Sequence, residues 1–351
     1  MTTSATQTDF ALIDKVARRA FAHMVAMIHV ANHRADADKT DPKVGGHPAA
    51  CSSSLDFMSA LHLVVRAPGD FICCKPHSSP VDHALHHAMG LFRHPDGEWF
   101  DEADSEAVMH RLRSFSHDGK PVFQSYHAEA DPDSWRFLPS GSVGIPPVVA
   151  VYQALAYRYA NQHGWDVDEP HFWCMMGDSE FREGSLLEVL PEVAERELGN
   201  VTWIIDYNRQ SLDGVVREGL AGRIQAIFGA FGWDVVRVKY GALQRAAFDE
   251  PGGEALRDWI DACPNVEYSA LTYMGGANWR KRLMDDPGDQ GPVSALIDAR
   301  TPLPASARPN IFLTYISRER VPQKVWDGLA RYAPGFEARF FDDDARERYL
   351  R

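Results

Sequence analysis

The sequence predicts an α/β fold of three layers, with a parallel sheet held between helices. Short apolar runs too brief for helices alternate with longer stretches of helical spacing, and polar clusters stand where the apolar runs end. At 351 residues the chain fits one large α/β domain plus a short additional element. With 45% hydrophobic and 24% charged residues it has the balance of an ordinary globular protein, which excludes extended disorder.

Within residues 10–31, Leu12, Val16, Ala20, Met24, Met27 and Ile28 recur at helical spacing and predict a long amphipathic helix. A polar linker follows over 32–43. Gly45-Gly46-His47 then opens a second helix through Leu55, Leu61 and Val65, and Phe71-Ile72-Cys73-Cys74 forms a short strand ending at Lys75. Residues 148–163 are helical by spacing, whereas Phe172-Trp173-Cys174-Met175-Met176 is too short for a helix and reads as a buried strand. That strand breaks at Gly177-Asp178.

A helix over about 185–198 comes next, with a kink expected at Pro191. Val201-Thr202-Trp203-Ile204-Ile205 makes another buried strand. Residues 224–231 form a helix closed by Gly232, and 233–238 are expected as a further strand. Pro302, Pro304 and Pro309 mark a boundary. The expected division is a helix and linker over 1–44, the α/β domain over 45–299, and a linker with a C-terminal segment over 300–351.

The formal charge of −13, with no segregated basic face, argues against nucleic acid as a partner. Cys51, Cys73, Cys74, Cys174 and Cys263 form no CxxC pair and read as buried thiols in a reducing compartment. The polar N-terminus lacks a secretory or Arg-rich address and no window is long enough to span a bilayer, so the expectation is a cytoplasmic protein without membrane contact.

The chemistry is carried by two polar clusters at the ends of central strands. One strand ends in Gly177-Asp178-Ser179-Glu180 and the next in Asp206-Tyr207-Asn208. In a parallel sheet these are carboxyl ends, where open α/β sheets bind ligands. The Asp178 carboxylate, the Asn208 side-chain carbonyl and a backbone carbonyl at Gln210 are hard oxygen donors suited to magnesium on a diphosphate. Gly177 is expected to permit a tight turn close to phosphate, and the amides of a following helix N-terminus to favour the anion.

Gly177-Asp178 with Asn208 some thirty residues on resembles the thiamine-diphosphate fingerprint of the transketolase superfamily. The chain is most similar there to the homodimeric pyruvate dehydrogenase decarboxylating component. Asn208-Arg209-Gln210-Ser211-Leu212-Asp213-Gly214 carries that resemblance beyond the motif. Gly45-Gly46-His47, Ser52-Ser53-Ser54, Pro76-His77-Ser78-Ser79-Pro80, Ser142-Val143-Gly144 and Phe228-Gly229-Ala230-Phe231-Gly232-Trp233 occur in the family's order, so the resemblance covers about residues 10–283.

The resemblance implies a three-layer thiamine-diphosphate-binding fold. It makes Asp178, Asn208 and Gln210 ligands of Mg2+, and it makes His77, Val143, Gly177, Asp178, Ser179, Asn208 and Gln210 neighbours of thiamine diphosphate. His47 and His77 face the cofactor and serve in proton transfer, with an acid role expected because histidine titrates near neutral pH. The implied reaction is decarboxylation of a 2-oxo acid, pyruvate, with acyl transfer to a lipoyl-bearing acyltransferase. Ketol transfer between sugars is the alternative within the superfamily.

Ser179 stands where the family usually has Gly, Asp206 where it has Asn, and Lys75 where it has Gln. A second carboxylate beside the metal either tightens it or repels the diphosphate, and Lys75 adds one positive charge; this balance stays open in the sequence. The family's activating glutamate lies on a pyrimidine-binding domain beyond these residues. The expectation is therefore a complementary pyrimidine-domain subunit, a fragment of a longer enzyme, or a binding remnant without turnover; a homodimer is expected because the family's sites form between domains of different chains.

His83, His86 and His87 have metal-like spacing but no matching carboxylate or cysteine signature, and read as a solvated helix face. Asp342-Asp343-Asp344 reads as an acidic helix start. Residues 309–343 resemble the start of a glycosyltransferase with an Asp-x-Asp sugar-nucleotide site.

Overall fold

The computed structural model describes residues 10–33, 47–67, 69–113, 120–134, 140, 142–167, 170–211 and 214–285. The expectations for the proline-rich boundary, for the acidic run at 342–344 and for the glycosyltransferase-like segment lie outside these residues.

Three parallel strands, β1 (Phe71–Cys73), β2 (Phe172–Gly177) and β3 (Val201–Asp206), form a sheet in the order β1-β2-β3. Phe172 pairs with both Phe71 and Val201, and Gly177 with Asp206, so the polar ends of β2 and β3 lie level. Helices cover both faces as the fold class requires. Side chains that alternate along a strand belong to different cores. Ile72, Cys74 and Met175 join a cluster with helices α1 (Phe10–Asn32), α2 (Pro48–Ala60) and α3 (Ser79–Ala88), while Cys73, Phe172 and Cys174 pack with Ala150, Val151 and Ala154 of α5 (Ile145–Gln162). Helix α4 (Glu102–Met109) closes the first layer, and Val108 and Met109 enter the same core.

Helix α6 (Gly184–Glu195) runs unbroken through Pro191, and α7 (Leu220–Ala230) follows a small hairpin of β4 (Gln210–Ser211) and β5 (Gly214–Val215). Helices α8 (Ala242–Phe248), α9 (Gly253–Ala262), α10 (Asn265–Met274) and α11 (Gly276–Met284) complete the described chain. No helix among the described residues is long and apolar enough to cross a membrane. All five cysteines are buried free thiols, and burial pushes the Cys51 thiol up to about 12.

Two sequence expectations fail here. Residues 233–240 form no strand: Val236 is 84% exposed and Val238 67%, and no neighbour pairs with the segment among the described residues. A strand exists through its partners more than through intrinsic preference, so the β-branched run alone did not suffice. His83, His86 and His87 are not on a solvated face. Every residue from Ser79 to His87 is buried, because α3 lies against α1 and α2 on one side and the 123–134 loop on the other.

Candidate active site at the strand ends

The site begins where the three strands stop. After β2 the chain enters a short 3₁₀ turn, Asp178–Arg182, rather than an α-helix N-terminus, and α6 starts only at Gly184. Gly177 has an extended backbone (φ −84°, ψ 153°), and a methyl group there would meet only ordinary contacts among the protein's own atoms. The expected need for glycine in a tight turn is therefore not met by the backbone.

After β3 the chain reverses at Arg209, whose φ of 64° is the left-handed region that few non-glycine residues adopt. That reversal aims the Arg209 N–H at Asp178 Oδ2, at 3.0 Å. The Arg209 guanidinium lies 3.9 Å from the centre of the Tyr268 ring, which anchors the turn from α10. β4 packs on the 178–182 turn, so the main chain of Gln210 lies beside Asp178.

Asp178 is buried, and its carboxyl is pushed up to about 6. Burial is the main cause, the Asp206 carboxylate adds to it, and the Arg209 N–H and the Lys75 ammonium oppose it. A carboxylate so poorly compensated, beside an Asn and a backbone turn, is a donor set that suits a hard divalent cation.

The two charged departures from the family pattern meet. Lys75 Nζ pairs with Asp206 Oδ2, and both side chains are 5% exposed. The Ser53 hydroxyl donates to the same oxygen at 2.5 Å, and Asn208 Nδ2 donates to Ser53 Oγ at 3.2 Å. Lys75 and Asp206 thus form one neutral buried unit, with Ser53 linking it to Asn208. The pair is neutral overall, while each member still acts on its neighbours: Asp206 raises the Asp178 carboxyl, and Lys75 lowers it and His77.

His47 and His77 lie together, with ring centroids 4.2 Å apart, and Tyr126 stands 5.8 Å from His77. Burial, then His47 and Lys75, hold the His77 imidazole down at about 4; burial and Lys75 also lower His47, although one side of that ring is open. Both rings are therefore neutral at pH 7, and the acid role expected from the sequence is not available to His77 in the ligand-free protein.

Val143 is half-buried at the turn before α5, and Glu180 ties that turn to the site. Its carboxylate accepts from Gly144 N at 2.9 Å and from Gly177 N at 2.8 Å. Gly144 is needed as glycine: its φ is +80°, and a methyl group would fall 2.5 Å from Glu183 Cβ. Glu180, Ser53 and Tyr126 were missed as site residues. Glu180 lies inside the quoted Gly177-Asp178-Ser179-Glu180 cluster, and Ser53 inside a quoted serine run, but nothing in either run says which side chain turns inward.

Residues 141–249 match the family described as transketolase, thiamine diphosphate binding domain. The chain is 29% identical over 255 residues to the pyruvate dehydrogenase E1 component of Pseudomonas aeruginosa, covering 70% of this chain and 27% of that protein. It is 28% identical over 262 residues to the E1 component of Mycolicibacterium smegmatis, covering 73% and 27%. It therefore spans about a quarter of the length of these relatives. Among solved structures, transketolase from Campylobacter jejuni shares the fold, with a TM-score of 0.52 at 17% identity over 74% of this chain and 37% of that one.

Proposed function

We propose that this chain, homologous to pyruvate dehydrogenase E1 components and matching a thiamine diphosphate binding domain over residues 141–249, is the diphosphate-binding half of an enzyme that decarboxylates a 2-oxo acid, pyruvate, with acyl transfer. The observation that carries the reading is the meeting of the under-compensated Asp178 carboxylate with the Asn208–Gln210 turn at level strand ends. In this reading Asp178, the Asn208 side-chain oxygen and the Gln210 main-chain oxygen hold Mg2+. Val143, Gly177, Ser179 and His77 border the cofactor.

Thiamine diphosphate, when bound, supplies an electron sink beside the reacting carbonyl carbon. The protein's part is placement and proton traffic. His47 and His77 act as neutral imidazoles that accept a proton, and an anionic diphosphate and substrate carboxylate would draw their titration back toward neutrality. In the assembled enzyme, a His47→Gln, His77→Gln double variant is expected to lose about 100-fold or more in pyruvate turnover. Turnover at the parent rate would remove both residues from the chemistry.

A further part of the reading is that the chain works as a homodimer or with a complementary subunit that brings the pyrimidine-binding domain, and that a lipoyl-bearing acyltransferase takes the acyl group. The test is calorimetric titration of the purified chain with thiamine diphosphate, with and without Mg2+, beside Asp178→Ala. Magnesium-dependent binding that disappears in the variant is the expected result. Binding of equal strength without Mg2+, or in Asp178→Ala, would sink the assignment of Asp178 as a metal ligand.

A further inference from the structure

Away from the strand ends, α3 and the 123–134 loop enclose a second polar group that the chemistry above does not use. His83, His127, Asp131 and Asp133 are all buried, at 0%, 1%, 4% and 2% exposure, and each offers one ligand atom within 4.8 Å of all the others. We propose that His83, His127 and Asp131, with Asp133 orienting His83, bind one divalent transition ion of the zinc class at a centre separate from the diphosphate site.

The distances fit three donors around one ion. His83 Nε2 lies 4.0 Å from Asp131 Oδ2, and His127 Nδ1 lies 3.8 Å from Asp131 Oδ2 and 3.9 Å from Asp133 Oδ1. Donors at zinc bond lengths of about 2.1 Å around a tetrahedron stand about 3.4 Å from one another. A contraction of about half an ångström per edge would close the set onto an ion. Two imidazoles and a carboxylate are donors that zinc accepts.

The outer atom of His83 is already occupied in the way that turns its inner atom to a metal. His83 Nδ1 is 2.6 Å from Asp133 Oδ2, the carboxylate–histidine pairing that leaves a neutral Nε2 lone pair for an ion. His86 Nδ1 meets the same Asp133 oxygen at 2.9 Å, and His127 Nε2 lies 3.1 Å from Asp82 Oδ2. Asp82 is itself held by His62 Nε2 at 2.5 Å through its other oxygen. Asp131 is fixed by the Ala128 N–H at 2.9 Å. His83 Nε2, which lies 4.0 Å from Asp131 Oδ2, is fully buried with no hydrogen-bond partner. Buried polar atoms are almost always satisfied, so this one asks for a partner.

The surroundings leave little room for water to fill that role. The Phe123 ring stacks on His83 at 3.9 Å, and Phe92 lies 5.3 Å from Phe123. Three buried carboxylates, Asp82, Asp131 and Asp133, share this region, and a dication offsets charge that neutral imidazoles cannot. The ion would staple the loop to α3. The loop also holds to that helix through the Ser79 hydroxyl, which donates to Ser125 O at 3.0 Å, and through the His83 and His86 contacts to Asp133, and it carries Tyr126 to His77.

The rival account is a metal-free network in which His83 carries a proton and pairs with Asp133. Elemental analysis of the full chain, purified without added thiamine diphosphate, separates the two. About one zinc per chain is expected, falling at least about tenfold in His83→Gln and in Asp133→Asn and unchanged in Asp178→Ala. Removing the ion by chelation should lower the melting temperature, and zinc should restore it. Where the variants fail to fold, the parent chain decides: cobalt in place of zinc should give the intense visible bands of a tetrahedral nitrogen and oxygen site. A parent chain with less than about a tenth of a zinc and no melting response to zinc would overturn the proposal. So would zinc retained in both His83→Gln and Asp133→Asn, or a cobalt spectrum that is octahedral or carries thiolate bands.

Discussion

Replacing Lys75 by methionine is expected to cost about 3–5 kcal/mol of folding stability, read as a lower urea midpoint at pH 7. The ammonium and the Asp206 carboxylate are each 5% exposed and pair directly, so removing the cation leaves an anion stranded in the interior with only the Ser53 hydroxyl to meet it. The size of the loss comes from that stranded charge and not from the worth of the pair. For that reason a double change, Lys75→Gln with Asp206→Asn, should return the protein to within about 1 kcal/mol of the parent, since two neutral amides can replace a neutral pair. These are the residue types the family resemblance leads one to expect at the two positions. A single variant that loses less than about 1 kcal/mol would show that water, not Lys75, balances Asp206.

Asp178→Asn is expected to stabilise the ligand-free chain at pH 7.5 by about 3 kcal/mol while abolishing magnesium-dependent cofactor binding. The folded protein raises this carboxyl from 3.8 to about 6, chiefly by burying it. Between those values the native chain holds a proton that the unfolded chain has released, so stability falls as pH rises through the window and the full cost is present above it. Below the unfolded value both states are protonated and the cost vanishes. Asparagine keeps an acceptor for the Arg209 N–H and never ionises. Urea unfolding at pH 3.5 and pH 7.5 checks the sign: the parent should lose relative to the variant on going to the higher pH. A variant less stable than the parent at pH 7.5 would mean that Asp178 is well compensated, and the case for a missing cation there would fall with it.

The expected stability gain and the expected binding loss have one cause. Under the proposed function, Asp178 is a carboxylate placed for a metal and a burden until the metal arrives, held in position by the main chain at the carboxyl ends of two strands.

Much of this site was legible in the residues. The runs at 172–176 and 201–205 are apolar, β-branched or aromatic, and too short for helices, and each ends abruptly in Gly-Asp or Asp-Tyr-Asn. Such an edge between an apolar run and a polar cluster locates a strand end without any knowledge of neighbours, and the level register of Gly177 with Asp206 follows from parallel pairing. The helices at 10–32, 145–162 and 184–195 were equally readable, because their apolar spacing states which face is covered.

What stayed illegible depends on pairs far apart in the chain. Lys75 meets Asp206 across 131 residues, and His83 meets Asp133 across 50. Each of those residues looks, on its own, like a solvated charge or a polar helix face. Residues 233–238 failed in the opposite direction: the local pattern promised a strand, and no partner strand lies beside them among the described residues.

The sequence by itself determined the layers, the strand ends and the oxygen donors gathered at them, since these rest on periodicity and on residue chemistry read within a few positions. Only the tertiary structure decided that Lys75 and Asp206 neutralise each other, that Glu180 holds two turns at once, and that the histidines of α3 are sealed in with aspartates. Those outcomes turn on which distant groups share one low-dielectric interior, and burial changes the energy of a charge far more than any neighbour in sequence can.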